Sequence, residues 1–293
     1  MNVSSRRRAL GILAACVALV GVLPATAGAA APPRLQQAYT QHPMLRRGAS
    51  APNLTYHGGR VISHVKVDVV VWGSWSYGTT VPLTGSHSIS SFFGGITASK
   101  YLDWLSEYNT PTQQIGRGSI EGVYTVHPPA ADDHATVTST QIASALRTLI
   151  GAGSIPKPST SRVYAVFFRN GQVISTPFGN SRSNFCAYHD TMSYGSGAAY
   201  YAVVPYEVGS RGCRAASTTF DSVTTVVSHE LIEAITDPGV GLNQLAWYDR
   251  VNGEIGDICA GVSTPAAVTG GDGVRYVVQR EWSNRSHACI VTR

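Results

Sequence analysis

Charge is scarce in this sequence. Only 13% of the 293 residues are Asp, Glu, Lys or Arg, and the formal net charge is +5. Three of the positive charges, Arg6, Arg7 and Arg8, belong to the N-terminal segment, and without them the net charge falls to +2. Nucleic-acid binding needs a strongly basic surface, which a nearly neutral chain does not have. We therefore expect no nucleic-acid partner.

Long apolar runs are also missing, except near the N-terminus. After the three arginines, Ala9 to Leu23 is apolar, and small residues follow at Ala25-Thr26-Ala27 and Ala27-Gly28-Ala29. The run is shorter than the roughly 20 residues that span a bilayer. A basic head, a short apolar segment and a small-residue tail predict a signal peptide over 1–29, exported by the general or the twin-arginine route. The mature chain is then secreted or extracellular and has no membrane span.

Cysteine is rare: besides Cys16 in the predicted signal peptide, the chain has four cysteines. They form no C-x-x-C pair, which argues against a zinc site built from cysteines. An even number in an exported chain predicts two disulfides. Three pairings are possible, and we favour the local ones, each of which closes a loop of about 30 residues and stabilises the fold by roughly 3–4 kcal/mol. These pairs are Cys186 with Cys213 and Cys259 with Cys289.

Two common nucleophile signatures are absent from the sequence. There is no G-x-S-x-G motif, at which many serine hydrolases present their nucleophile. Cysteines that are tied in disulfides leave no thiol nucleophile. We therefore expect neither serine nor cysteine catalysis.

The pattern of apolar residues predicts one α/β domain over 56–293, preceded by a linker or short propeptide over 30–55. Alternating or continuous apolar stretches predict strands at 61–72, 119–126, 162–168, 199–204 and 274–279. Three-four spacing predicts helices at 96–108, at 139–150 with Ser139 or Thr140 as cap, and at 220–235. The segment 170–197 is predicted to be a loop. This order of elements predicts a mixed twisted sheet with packed helices, of the zincin-like type.

The last predicted helix carries the residues that point to chemistry, in the segment Ser228-His229-Glu230-Leu231-Ile232-Glu233. Residues four apart project from one face of a helix, so His229 and Glu233 can bind one metal ion. Glu230 would then act as general base on a metal-activated water. The segment is a degenerate H-E-x-x-H motif in which glutamate replaces the second histidine.

A third metal ligand is expected downstream, where Asp249, Glu254 and Asp257 follow the helix. Glu254 and Asp257 are the main candidates, and the choice between them stays open. His189 is a candidate for a further ligand or for a donor to a developing oxyanion. Tyr248 is a candidate for the same oxyanion role.

These residues predict a secreted metal-dependent hydrolase, in the first place a zinc peptidase acting on an extracellular peptide or protein. One alternative is a non-enzymatic extracellular protein of the same fold, with no metal or with a structural ion such as Ca²⁺, which prefers oxygen ligands. A second alternative is a carbohydrate-active or wall-binding domain that uses its many Tyr and Trp residues.

Several motifs follow one another along the chain: Tyr56-His57-Gly58-Gly59, Val71-Trp72-Gly73, Phe185 to His189, Cys213, Ala234 to Pro238 with Trp247-Tyr248, Glu254 to Cys259, and Trp282 to Cys289. Together they resemble the phosphate-induced, Exordium-like family of exported proteins, in its bacterial branch. The resemblance covers most of the chain from residue 56 and is strongest over 228–259. It implies an extracellular or cell-wall-associated protein. Plant members of the family lack the His-Glu pair at this helix, which implies that the fold does not require a metal.

Overall fold

The computed structural model describes residues 51–73, 81–128, 133–206 and 213–293. The predicted signal peptide and residues 30–50 of the predicted linker lie outside these ranges. In the remaining part of the linker, the backbone N–H of Asn53 donates to Asp249 Oδ2 (2.8 Å), and Leu54 is buried. The described contacts with the domain therefore begin slightly before residue 56.

The described strands are β1 (Thr55–Tyr56), β2 (His64–Trp72), β3 (Gly116–Val126), β4 (Thr136–Thr138), β5 (Arg162–Phe167), β6 (Val173–Thr176), β7 (Gly179–Asn180), β8 (Tyr188–Tyr194), β9 (Gly197–Val204), β10 (Trp247–Tyr248), β11 (Ala266–Thr269), β12 (Arg275–Val278), β13 (Glu281–Ser283) and β14 (Ala288–Ile290). The described α-helices are α1 (Ile89–Thr97), α2 (Lys100–Asp103), α3 (Ser139–Gly151) and α4 (Thr219–Thr236). Short 3₁₀ helices occupy Trp104–Tyr108 and Val240–Leu242.

The main sheet has five strands in the order β3-β2-β5-β9-β8. The first four are parallel to their neighbours, and β8 is antiparallel to β9, so the sheet is mixed. Its central strands β2, β5 and β9 are buried on both faces, which explains their almost continuous apolar sequences. Four smaller sheets pair β1 with β10, β4 with β6 and β7, β11 with β12, and β13 with β14.

Helices cover both faces of the main sheet. Side chains alternate between the faces of a strand, and in β2 this alternation separates two hydrophobic clusters. Val67, Val69 and Val71 pack in the cluster that includes α1 and α4, whereas Val70 and Trp72 pack in the cluster that includes α3. The helix with the His-Glu motif, α4, therefore covers one face of the sheet.

Helix α4 agrees closely with the predicted helix 220–235 and extends one residue beyond it at each end. Its N-cap is Thr218, whose hydroxyl accepts the backbone N–H of Asp221 (3.0 Å). It ends at Thr236, two residues before Pro238, as expected because proline cannot continue a helix. From Ser222 to its end the helix is buried on all sides. Among the described helices, none is long and apolar enough to cross a membrane.

Two predictions of secondary structure are wrong. The predicted helix 96–108 is instead the end of α1, the short helix α2 and a 3₁₀ turn, because Ser99 interrupts the helix and caps a new one with its side chain. The predicted loop 170–197 contains β6, β7 and β8. Strand β8 has five buried residues in succession, three of them polar, so its sequence does not show the apolar pattern of a strand. In addition, the cap of α3 is Thr138 and not Ser139 or Thr140.

The described cysteines form two pairs at disulfide distance. The Cα–Cα distance is 5.5 Å for Cys186–Cys213 and 5.8 Å for Cys259–Cys289, and these are the two local pairs favoured above. The second pair joins the segment after α4 to strand β14. The described domain is thus a mixed α/β structure with both expected cysteine pairs.

We expect the unreduced protein to contain no thiol that titrates, and reduction to lower its melting temperature by roughly 5–15 °C for each bond lost. The physical reason is the greater conformational entropy of an unfolded chain without cross-links. Thiol titration in denaturant and thermal melts with and without reductant measure both effects. Two or more titratable thiols in unreduced protein would contradict the pairing.

Candidate metal centre

Helix α4, strand β8 and the segment after α4 bring six ionisable side chains together. Each of the six is at most 9% exposed. We call this group the His–carboxylate cluster; its members are His189, His229, Glu230, Glu233, Glu254 and Asp257. Buried ionisable groups are rare unless they are paired or bind a metal.

On one side of the cluster, His229 faces two carboxylates. Its Nε2 lies 3.2 Å from Glu233 Oε2 and 4.0 Å from Asp257 Oδ1. The backbone N–H of Asp257 donates to the other oxygen of Glu233, Oε1, at 3.1 Å. One ligand atom from each of these three residues lies within 4.8 Å of the others, so they could hold a metal ion. The i, i+4 arrangement predicted for His229 and Glu233 is therefore present.

On the other side, His189 lies between three carboxylates. Its Nδ1 is 3.5 Å from Glu230 Oε2 and 3.4 Å from Glu233 Oε2, and its Nε2 is 3.5 Å from Glu254 Oε1. His189, Glu230 and Glu233 form a second group whose ligand atoms lie within 4.8 Å of one another. Of the two open candidates for the third ligand, Asp257 thus lies beside His229, whereas Glu254 lies beside His189.

The segment that carries Glu254 and Asp257 comes very close to α4 at Gly256. A Cβ atom at this position would lie 2.5 Å from His229 Nδ1 and 2.9 Å from Glu233 Oε1. Any side chain here would therefore displace the cluster. The glycine allows the backbone to approach, as expected of glycine at a close contact.

A network beyond the cluster holds His229 in place. The side-chain amide of Gln279 lies 2.9 Å from His229 Nδ1 and also reaches Gly256 O (2.9 Å) and Glu281 (3.1 Å). The hydroxyl of Tyr101 donates to Glu281 Oε1 at 2.9 Å. Sequence reasoning missed both residues, because Gln279 is a single polar residue at the end of the predicted strand 274–279 and Glu281 lies just beyond it, so neither gives a signal of a buried role.

Burial controls the protonation of the acidic members. Burial raises the pKa of Glu230. It also raises the pKa values of Glu254 and Asp257, and these two lie well above the usual range. The negative charge of Glu233 adds to this effect for all three. Carboxylates that are destabilised in this way are favourable partners for a cation.

The histidines and Glu233 stabilise one another. Burial alone would lower the pKa of both imidazoles, but neighbouring carboxylates, chiefly Glu254 for His189 and Glu233 for His229, raise it well above the usual value. Burial would raise the pKa of Glu233, but the two histidines outweigh it and lower that pKa to about 2. Glu233 is therefore ionised and lies between two positive charges when no metal is bound.

Several carboxylate oxygens in the cluster have no hydrogen-bond donor. Among the described residues, no hydrogen bond of good geometry reaches Glu233 Oε2 or either oxygen of Glu230 or Glu254. Imidazole nitrogens face Glu230 Oε2, Glu233 Oε2 and Glu254 Oε1 at 3.2–3.5 Å without that geometry. A buried oxygen that is left without a donor costs about 1–3 kcal/mol, and more if it is charged. These oxygens could therefore accept a cation as a ligand.

The distances in the cluster suit a small divalent cation. Two ligands bound tetrahedrally to one zinc ion at about 2.0–2.1 Å stand about 3.3–3.4 Å apart. The observed separations to Glu233 Oε2 are 3.2 Å from His229 and 3.4 Å from His189, whereas His229 Nε2 and Asp257 Oδ1 stand 4.0 Å apart. A mixed set of imidazole and carboxylate ligands fits zinc or manganese better than calcium, which prefers oxygen ligands alone.

Two other candidate residues have different surroundings. The carboxylate of Asp249 accepts the backbone N–H groups of Asn53, Val251 and Asn252, so it stabilises the turn after β10. Tyr248 lies on β10 with its ring edge-on to His57 (centroids 6.4 Å apart). The oxyanion role of Tyr248 stays a prediction.

Comparisons with protein-family models, with curated protein sequences and with solved structures find no match to this chain.

Replacing Gly256 by alanine should lower the affinity for zinc at least tenfold, because the new methyl group would collide with His229 and Glu233. Gly151→Ala is the matched control, since a Cβ atom at Gly151 meets nothing within 4 Å. Calorimetric titration of each purified variant with Zn²⁺ measures the effect. Equal zinc affinity for Gly256→Ala and wild type would show that the close approach is unimportant for binding.

The metal-free protein should lose stability as pH rises from about 5.5 to 8. Burial raises the pKa of Asp237 and of Glu281 to about 7, so each holds its proton more tightly in the folded chain than in the unfolded chain. Such groups favour the folded state at low pH, and the benefit is lost as pH rises through the folded pKa. The raised pKa values of His189 and His229 act in the same direction.

Thermal melts in the presence of a chelator measure this dependence, and Glu281→Gln should make it weaker. With zinc added, the gain in melting temperature should instead grow with pH, because metal binding displaces protons from the ligands. A melting temperature of the metal-free protein that rises with pH over this range would contradict the prediction.

Proposed function

We propose that this chain is an exported, metal-dependent hydrolase, and in the first place a zinc peptidase that acts on extracellular peptides or proteins. The proposal rests on one observation: two imidazoles lie close to several buried carboxylate oxygens that accept no hydrogen bond of good geometry. Such a group is costly to bury, and a divalent cation would neutralise it. The two cysteine pairs suit an oxidising compartment such as the cell exterior.

In this proposal His229, Glu233 and Asp257 hold the ion. A bound divalent cation would polarise a substrate carbonyl and make water a better nucleophile. Glu230 follows His229 directly, is buried, and has a raised pKa, so it is suited to take a proton from water and pass it on. His189, within 3.5 Å of Glu230 Oε2, would balance the negative charge beside the base.

The proposed zincin-like character rests on the same elements. A helix with the His-Glu pair packs on a mixed sheet, and a downstream acidic residue approaches the pair. Gln279 would hold the ring of His229 in this orientation, with its amide nitrogen 2.9 Å from Nδ1.

The second candidate function is a non-enzymatic extracellular or cell-wall-associated protein of the Exordium-like type, with a structural ion or no metal. One observation favours it: all six cluster members are almost fully buried, as ligands of structural ions are. Two cavities in the described structure, of about 330 and 480 Å³, are lined by other residues. A catalytic site would need an open path from solvent to Glu230.

Replacing Glu230 by glutamine separates the two functions. The variant keeps the shape of the side chain but loses the base, so it should retain the ion held by His229 and lose turnover by about 10²–10⁴-fold. His229→Ala should lose that ion. Asp221→Asn, a carboxylate change on the same helix, is the matched control. Metal analysis and cleavage of a broad peptide library provide the measurements.

If Glu230→Gln cleaves peptides as fast as wild type, the general base is assigned wrongly. If wild type binds zinc tightly and gains melting temperature from it but cleaves nothing in the library, the structural-ion function is correct instead.

A further inference from the structure

We infer that the cluster has a second cation subsite, bounded by His189, Glu230 and Glu233, next to the ion held by His229, Glu233 and Asp257. The inference rests on the proposed function, because it takes the first ion as given. The chemical class of the ligand is a divalent cation that accepts both imidazole and carboxylate, such as Zn²⁺ or Mn²⁺.

The first support is the position of Glu233. Its Oε2 lies 3.4 Å from His189 Nδ1 and 3.2 Å from His229 Nε2, so the same carboxylate faces a nitrogen on each side. Each of the two three-residue groups meets the distance condition for a metal ion by itself, and Glu233 is common to both. A carboxylate shared in this way is placed to bridge two ions, which in two-metal sites stand about 3.5–4 Å apart.

The second support is the environment of each imidazole. A histidine that binds a metal through one nitrogen usually bonds a protein group through the other. His189 turns Nδ1 toward Glu233 and Nε2 toward Glu254, at 3.5 Å. His229 turns Nε2 toward Glu233 and Nδ1 toward Gln279, at 2.9 Å. Each imidazole therefore turns one nitrogen toward Glu233 and the other toward a second protein group, at hydrogen-bond distance for His229 and at 3.5 Å, without a hydrogen bond, for His189.

The third support is charge. The cluster contains four carboxylates, and once metal binding displaces their protons, one divalent cation with neutral imidazoles would leave two negative charges in a buried place. A second divalent cation removes that excess. Glu230, which is 1% exposed and has no hydrogen-bond donor on either oxygen among the described residues, supplies the ligand for it.

Occupation of the second subsite has a consequence for activity. A carboxylate that binds a cation is no longer available to accept a proton, so Glu230 would stop acting as general base. Turnover should therefore rise with zinc concentration while the first subsite fills and fall when the second subsite fills. The second ion would act as an inhibitor.

The test counts ions in the purified chain by equilibrium dialysis against Zn²⁺ followed by elemental analysis. Wild type should bind two ions per chain at saturation, with the second weaker than the first. His189→Ala should bind one, and the control Asp221→Asn should bind two. One ion per chain in wild type would overturn the second subsite and leave the proposed function intact, whereas no bound ion would overturn both.

Electron paramagnetic resonance of the wild-type chain loaded with Mn²⁺ provides a measurement that needs no variant. Two manganese ions bridged by Glu233 should give a spin-coupled spectrum at saturation and an uncoupled spectrum at one ion per chain. Two bound ions with no coupling would place the second ion elsewhere and so overturn the inference.

Discussion

Glu233 lies at the centre of the site, and the surrounding contacts depend on its carboxylate. One of its oxygens faces both His189 and His229, and the other accepts the backbone N–H of Asp257. A single buried carboxylate thus joins helix α4, strand β8 and the segment after α4. Removing an ionised group from water is costly, so these contacts must compensate for that cost.

The elements around Glu233 explain how the fold maintains this arrangement. The sheet supports α4 through an apolar face, while β8 forms the edge that carries His189. Gly256 lets the downstream segment approach, and the pair Cys259–Cys289 ties that segment to β14. Each support comes from a different part of the chain, so the site forms only when the domain is folded.

The same burial gives the site two possible uses. A dry environment strengthens the interaction of a cation with its ligands and keeps Glu230 basic, which suits hydrolysis. It also matches a closed structural site, in which no position is left for a substrate. Access to Glu230 from solvent is therefore the physical property that separates an enzyme from a wall-associated protein of the same fold.

The sequence alone determined what depends on local spacing: the extent of α4, the convergence of His229 and Glu233 one helical turn apart, the main parallel strands and the two cysteine pairs. Only the tertiary structure decided that His189 lies on strand β8 and not in a loop, that Asp257 lies beside His229 while Glu254 lies beside His189, and that Gln279 and Glu281 support the site. The physical reason is the separation along the chain of the residues that interact. Periodicity reports which side of an element is buried, whereas the partner of a buried polar group is chosen by packing between segments far apart in the chain.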